Sequence, residues 1–256
     1  MSDAVRVVPI DGGAFWRVTF GGAKGNILDR TLMADLRRAL ARAKSTPQLK
    51  AVCIEGAGEH FSYGASVAEH LPDQVAAMLE NLRHLVLEII DSDVIVLAAV
   101  RGQCLGGGLE LASVCHRVFA GTDAQLGQPE IALGVFAPIA SIVLPARIGR
   151  ARAEDLCLTG RTVTAGEALA MGLVDEVSTA DPADAAIEWA RLHFSARSAS
   201  SLRLAVHAVR ADLASRLRVE LPVLEALYLK RLMATGDATE GVTAFLEKRP
   251  PIWRDA

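Results

Sequence analysis

Residues 94–134 read VIVLAAVRGQCLGGGLELASVCHRVFAGTDAQLGQPEIALG, and both the fold and the chemistry of the chain turn on them. The apolar run from Val94 to Val100 has the character of a buried strand. It enters the turn Gly106-Gly107-Gly108, which opens directly into a short helical pattern carrying Glu110. A second glutamate, Glu130, follows Pro129. Consecutive glycines let the main chain take conformations closed to other residues and let a ligand come close to the N–H groups. At the first turn of a helix those N–H groups are unpaired and sit at the positive end of the dipole, so they form a receptor for a developing negative oxygen. A glycine triplet on its own more often packs a helix tightly on a strand.

The two glutamates weigh against that plainer role. A single helix glutamate is usually a solvated charge. Here both lie among apolar neighbours, Leu109-Glu110-Leu111 and Pro129-Glu130-Ile131, beside the glycine-built donors. A paired acid and base next to an anion receptor is what adding or removing water across an activated double bond requires. Competing motifs fail. A dinucleotide fingerprint starting at Gly106 would need glycine where Leu111 stands, and no Gly-Lys-Ser/Thr follows for a phosphate loop. Neither Ser62 nor Ser66 has the flanking glycines of a nucleophile elbow. The histidines show no metal-ligand spacing and are expected to be structural or superficial, although His60 and His70 flank a loop of interest.

Outward from this stretch, Val5–Ile10 and Ala14–Phe20 flank Asp11-Gly12-Gly13, the signature of a hairpin. Asp29 is placed to cap a helix with apolar positions Leu32, Leu36, Leu40 and Ala43. Leu49–Ile54 is expected to be a strand, Asp73–Ile90 a helix, and Arg117–Ala120 and Val174–Val177 further strands. Thr164-Ala165-Gly166-Glu167 fits a capping box for a helix that Gly172 ends. From Pro182 onward the pattern is helical, with Leu202, Val206, Val209 and Leu213 on one face and Leu221, Leu224, Leu227 and Leu232 on another. This alternation predicts an α/β fold with a C-terminal helical layer.

The 256 residues suffice for one large core. With 51% hydrophobic and 22% charged residues the chain is globular, and a net charge of −3 offers nothing for nucleic acid or an anionic membrane. The short basic stretches at Arg37-Arg38 and Arg147–Arg152 are explained by solvated helix faces. Cys53, Cys104, Cys115 and Cys157 sit in apolar patterns without a CxxC pair, so buried thiols are expected rather than disulfides or a metal site. The start of the sequence has no basic-then-apolar leader, and the run from Ile131 to Ala146 is broken by Gly134, Pro138 and Pro145. A soluble protein of a reducing cytoplasmic compartment is expected.

HFSYGAS (His60–Ser66), RGQCLGGGLE (Arg101–Glu110), QLGQPEIALG (Gln125–Gly134), the segment 160–177 and EGVTAFLEKR (Glu240–Arg249) resemble, in order, the signatures of the enoyl-CoA hydratase/isomerase or crotonase superfamily. The resemblance implies a crotonase-like core of repeated ββα units over residues 1–190 and a helical trimerisation region over 191–256, assembled as a homohexamer of two trimers. It places the oxyanion hole on the backbone N–H groups of Ala65 and Gly107 and the catalytic carboxylates on Glu110 and Glu130. It lays the CoA moiety along Lys24, Ile27, Ser62, Tyr63 and Gly64, with Phe245 and Lys248 towards the nucleotide end. No metal or redox cofactor is implied, since the thioester is itself the electron sink.

This chain departs from ordinary hydratases of the superfamily in two places. Ser66 stands where they have aspartate, and Ala137-Pro138-Ile139-Ala140-Ser141-Ile142 replaces a glycine-rich run. Proline and isoleucine there are expected to stiffen a turn and add apolar bulk, which makes Phe136, Pro138 and Ile139 the expected lining of the acyl pocket. FSYGASVAEH and GVFAPIAS are similar to the ring-hydrating branch of the superfamily, which implies addition of water to a cyclic conjugated dienoyl-CoA in anaerobic aromatic degradation. Two alternatives stay open: a general short-chain enoyl-CoA hydratase, and a non-catalytic RNA-binding or assembly protein on the same scaffold.

Overall fold

The computed structural model describes residues 4–22 and 25–255. Strands β1 (Val5–Ile10) and β2 (Phe15–Phe20) form the expected antiparallel hairpin, paired from Val5 with Phe20 to Ile10 with Phe15. Helix α1 (Arg30–Lys44) begins where Asp29 accepts a 2.8 Å hydrogen bond from the Leu32 N–H. There follow β3 (Ala51–Gly56), α2 (Val75–Ile90), β4 (Ile95–Val100), β5 (Gln103–Leu105) and α3 (Gly107–Ser113). Next come β6 (Arg117–Gly121), β7 (Gln125–Gly127), a 3₁₀ turn over Pro129–Leu133, α4 (Pro138–Ile148) and α5 (Arg150–Thr159). The chain ends with β8 (Thr162–Thr164), α6 (Ala165–Met171), β9 (Glu176–Ser178), α7 (Pro182–Phe194), α8 (Ala199–Leu227) and α9 (Gly236–Leu246).

The main sheet has the order β1-β2-β3-β4-β6-β9, parallel beyond the first hairpin, and the small sheet has the order β5-β7-β8. Both β4 and β6 pass straight into a short strand of the second sheet, which is how the ββα rhythm is realised. The apolar runs of β3 and β4 follow from burial on both faces. Val52, Ile54, Val96 and Ala98 face Leu36, Leu40, Leu85 and Ile89 of α1 and α2. Ala51, Cys53, Ile95 and Leu97 face Ala183, Ala186 and Ile187 of α7. At the end of the sheet, buried Glu55 accepts from Arg17 Nε at 2.6 Å, from Arg101 Nη2 at 2.8 Å and from Thr19 Oγ1 at 2.9 Å. Arg101 is the first residue beyond β4, so this network pins the point from which the glycine loop departs.

Several expectations change in detail. Leu49 is buried, but it lies in the turn before β3. The boundary at 190/191 falls inside α7, whose small residues cover the sheet, so that helix belongs to the core layer. The α8 stripe is also corrected: Val206 and Leu221 are buried, whereas Val209 is 77% exposed. The buried line of α8 runs through Val206, Arg210, Ala214, Leu217 and Leu221, and Arg210 Nη1 donates to Val114 O at 2.6 Å. A charged residue on the buried line hid it from a reading by hydrophobicity. The capping box is half formed, since Thr164 accepts from the Glu167 N–H while the Glu167 carboxylate pairs with Arg161. The cysteines are free thiols, with Cys53, Cys104 and Cys115 buried. Among the described residues no helix is long and apolar enough to cross a membrane.

Candidate active site

Two loops are brought edge to edge beside the N-terminus of α3. The loop over residues 60–66 is bonded to β5, with Ser62 N–H donating to Gln103 O at 3.0 Å and Leu105 N–H to Ser62 O at 2.9 Å. Its other edge is held by Leu28 N–H, which donates to Gly64 O at 2.9 Å. Gly64 has φ +97°, and a Cβ there would lie 2.8 Å from Leu105 O and 3.1 Å from Gly107 N. Only a residue without a side chain lets the loops approach this closely. The Ala65 and Gly107 N–H groups therefore stand side by side, and among the described residues neither donates to any acceptor.

Gly106 serves a second close approach. It has φ +52°, and a Cβ on it would fall 2.5 Å from Glu130 Oε1. That glutamate opens the 3₁₀ turn behind Pro129, where Gln128 Nε2 donates to Glu130 Oε1 at 3.1 Å. Its other oxygen, Oε2, is buried and has no hydrogen-bond partner among the described residues. Glu110 is 2% exposed on α3, and its Oε1 accepts a 2.8 Å bond from the N–H of Ala140, the third residue of α4. The Ala137–Ile142 segment is thus the first turn of a helix rather than a stiffened turn. Pro138 occupies the first helical position, where the N–H it lacks would have no partner within the helix.

Burial raises the Glu110 carboxyl above the ordinary 4.5, against the opposing N–H bonds from Ala140 and Ile139. Burial also raises Glu130, and the charge of Glu110 raises it further. The two sites titrate as a unit, and the first ionisation discourages the second. Because their values in the fold are raised, the folded chain keeps protons that the unfolded chain releases as pH climbs above about 4.5 and through neutrality. Stability is therefore lost with rising pH across that window. Glu110→Gln is expected to be more stable than the parent by about 2 kcal/mol at pH ~8, and to lose that advantage at pH ~4. Thermal melts at the two pH values measure this, and an advantage independent of pH would remove burial of the charge as its cause.

Both glutamates, Ala65, Gly64 and Gly107 line one cavity of about 820 Å³, within the range of small-molecule sites. Ile27, Tyr63, Phe136, Pro138 and Phe245, all candidates named from the sequence, also line it. Tyr63 and Phe245 lie at its mouth, 42% and 54% exposed. Two expectations are corrected. Ser62 is fully buried, its hydroxyl donating to Asn26 O at 2.8 Å and accepting from Gly64 N–H at 3.0 Å, so it braces the loop from behind. Ile139, the neighbour of Pro138 on a helix, points into the core instead of the cavity. Lys248, expected towards the nucleotide end, is exposed and stands outside the cavity. Lys24 lies outside the described residues.

The sequence missed Gln128 and Tyr228, and marked His70 only as flanking the loop. Gln128 is 1% exposed and orients Glu130, and a signal for it lay in its place two residues before that glutamate. His70 and Tyr228 line the cavity from segments distant in sequence. Burial lowers the His70 imidazole, and its Nδ1 lies 2.9 Å from Ser66 O.

On this two-sheet fold, unengaged amides from two loops and two buried carboxylates thus line one largely apolar cavity. The chain belongs to the enoyl-CoA hydratase/isomerase family, whose model matches residues 14–256. It is 50% identical to the cyclohexa-1,5-dienecarbonyl-CoA hydratase of Thauera aromatica, over 95% of this chain and 94% of that protein. It is 36% identical to a probable enoyl-CoA hydratase of Mycobacterium tuberculosis, over 88% of each. The crystal structure of an enoyl-CoA hydratase from Mycobacterium avium superimposes with a TM-score of 0.86 at 27% identity, covering 98% of this chain and 99% of that one.

Proposed function

We propose that this chain is a hydro-lyase that adds water to cyclohexa-1,5-diene-1-carbonyl-CoA, giving 6-hydroxycyclohex-1-ene-1-carbonyl-CoA, a step of anaerobic aromatic degradation. The observation that carries the chemistry is the pair of unengaged N–H groups, Ala65 and Gly107, set against Glu110 and Glu130 in one cavity. The ring substrate is supported by the half-identical relative and by the cyclic, apolar wall of Phe136 and Pro138.

The thioester oxygen docks on the two N–H groups, each of which lowers the barrier by about 3 kcal/mol as charge collects there. Water bonds through oxygen to ring carbon C2, the position β to the carbonyl. The C1=C2 electrons move to the thioester oxygen, and the water proton passes to a carboxylate. The resulting dienolate extends over C6=C5, so the proton returned by the other carboxyl goes to C5 and the remaining double bond becomes C1=C6. Renumbered, that is the 6-hydroxy-1-ene. Raised carboxyls suit this division, because a buried pair holds one proton to give and one site to receive.

In this reading Ile27, Tyr63, Gly64 and Phe245 take the pantetheine arm at the mouth, and Lys248 serves the nucleotide end from outside. The chain assembles as a hexamer of two trimers. Leu204, Val209, Val219 and Val223 of α8, each at least 66% exposed, are surfaces suited to covering by other copies. A reducing cytoplasm suits the free thiols.

The experiment is an assay of the purified protein on the cyclic dienoyl-CoA and on crotonyl-CoA. Higher kcat/KM on the cyclic substrate is expected. Faster turnover of crotonyl-CoA would make the chain a general short-chain hydratase instead.

A further inference from the structure

Beyond Leu227 the last helical stretch does not simply stop. Residues Tyr228–Leu232 form a π turn in which Met233 N–H donates to Tyr228 O at 2.9 Å. Such widened turns are rare and cluster at functional sites, because they re-aim the side chains around them. Tyr228 heads this one. It is 1% exposed, lines the cavity that holds Glu110 and Glu130, and packs its ring on Phe136 with centroids 5.2 Å apart at 58°. Its hydroxyl is buried and has no hydrogen-bond partner among the described residues. Buried phenols normally find one.

The complementary orphan is Glu130 Oε2, also buried and unpartnered. A phenol that must donate and a carboxylate oxygen that must accept thus border one cavity without touching each other. Burial, then the charges of Glu130 and Glu110, keep the phenol protonated, so it acts as a donor and not as a base. The other ionisable side chains lining the cavity are Tyr63 and His70. Tyr63 is bound up at the mouth, its hydroxyl 3.2 Å from His60 Nε2, and His70 is tied to Ser66 O.

We infer that Tyr228 is a water-positioning residue: its O–H donates to the oxygen of the reacting water and, after addition, to the new ring hydroxyl. The water then gives a proton to the carboxylate pair and accepts from Tyr228, which leaves one lone pair free, directed at the ring. This rests on the hydratase function proposed above and deepens it. It also explains why a polar atom is kept on an otherwise apolar wall.

The test is Tyr228→Phe, which keeps the ring and its packing on Phe136. Because the hydroxyl makes no bond within the described chain, the melting temperature is expected to hold. The thioester KM should stay within about twofold while kcat falls about 10- to 100-fold, as for a misplaced reactant. Two ligands separate positioning from packing. The 6-hydroxycyclohex-1-ene-1-carbonyl-CoA product should bind the variant about tenfold more weakly, the loss expected for one hydrogen bond, while cyclohex-1-ene-1-carbonyl-CoA, which lacks the hydroxyl, binds unchanged. Equal weakening of both ligands, or a kcat within twofold of the parent, overturns the inference and makes Tyr228 a packing residue. Failure of the unaltered protein to hydrate the dienoyl-CoA overturns the proposed function, and this inference with it. Normal hydration with an unaffected variant overturns this inference alone.

Discussion

Glu130→Gln and Glu110→Gln are each expected to lower kcat for hydration by about 10²- to 10⁴-fold, the range for loss of a positioned acid or base. The thioester KM should change by no more than about twofold, because the oxyanion donors and the CoA path are untouched. Glutamine is the informative replacement at both positions. Its amide oxygen can still accept from Ala140 N–H at position 110 and from Gln128 Nε2 at position 130, so the contacts that orient each side chain survive. What is lost is the capacity to carry a proton. The two carboxyls act on one water and share one titration, so the double variant should be little worse than the poorer single variant. Steady-state kinetics of the three proteins, with circular dichroism to verify folding, measure this. Turnover retained in either single variant would take that glutamate out of the chemistry. Retention in all three would favour a scaffold without hydratase activity.

Gly107→Ala is expected to cost about 10²- to 10³-fold in kcat, comparable to removing an oxyanion-hole donor. The added methyl would sit 3.1 Å from Ala65 N. That is the distance at which the developing oxyanion must lie from its donors, so the methyl contests the position of the oxygen itself. Gly107 is helical and needs no positive φ, so alanine is not excluded by the backbone and the fold should persist. Affinity for free CoA, which does not use the hole, should be unchanged. Undiminished kcat in a folded Gly107→Ala protein would mean that the thioester oxygen docks elsewhere, and the proposed mechanism would fall with it.

Much of the site was legible because its chemistry is written in neighbouring residues. Glu110 follows its glycine turn directly, Glu130 follows Pro129, and β4 announces itself as a run of apolar residues because it is buried on both faces. The small sheet was not legible. Strands of three residues such as β5, β7 and β8 are too short to show a period, and they exist only because they pair with one another. Ser62 and Ile139 were misplaced for a related reason. Each stands next to a residue that does line the cavity, and consecutive side chains point in different directions, so adjacency in sequence says little about adjacency to a ligand.

By itself the sequence determined the α/β class, the hairpin, the capped helices, the glycine-built donor turn and the identity of the two glutamates. All of these depend on local periodicity, turn chemistry and spacing along one segment. The tertiary structure decided that the Ala65 and Gly107 amides come side by side, that Glu110 caps α4, that Arg210 belongs on the buried line of α8, and that Tyr228 reaches the same cavity from the far end of the chain. These depend on which surfaces bury one another. Burial is a property of the whole packed chain, and it sets where a side chain points and which protons it keeps.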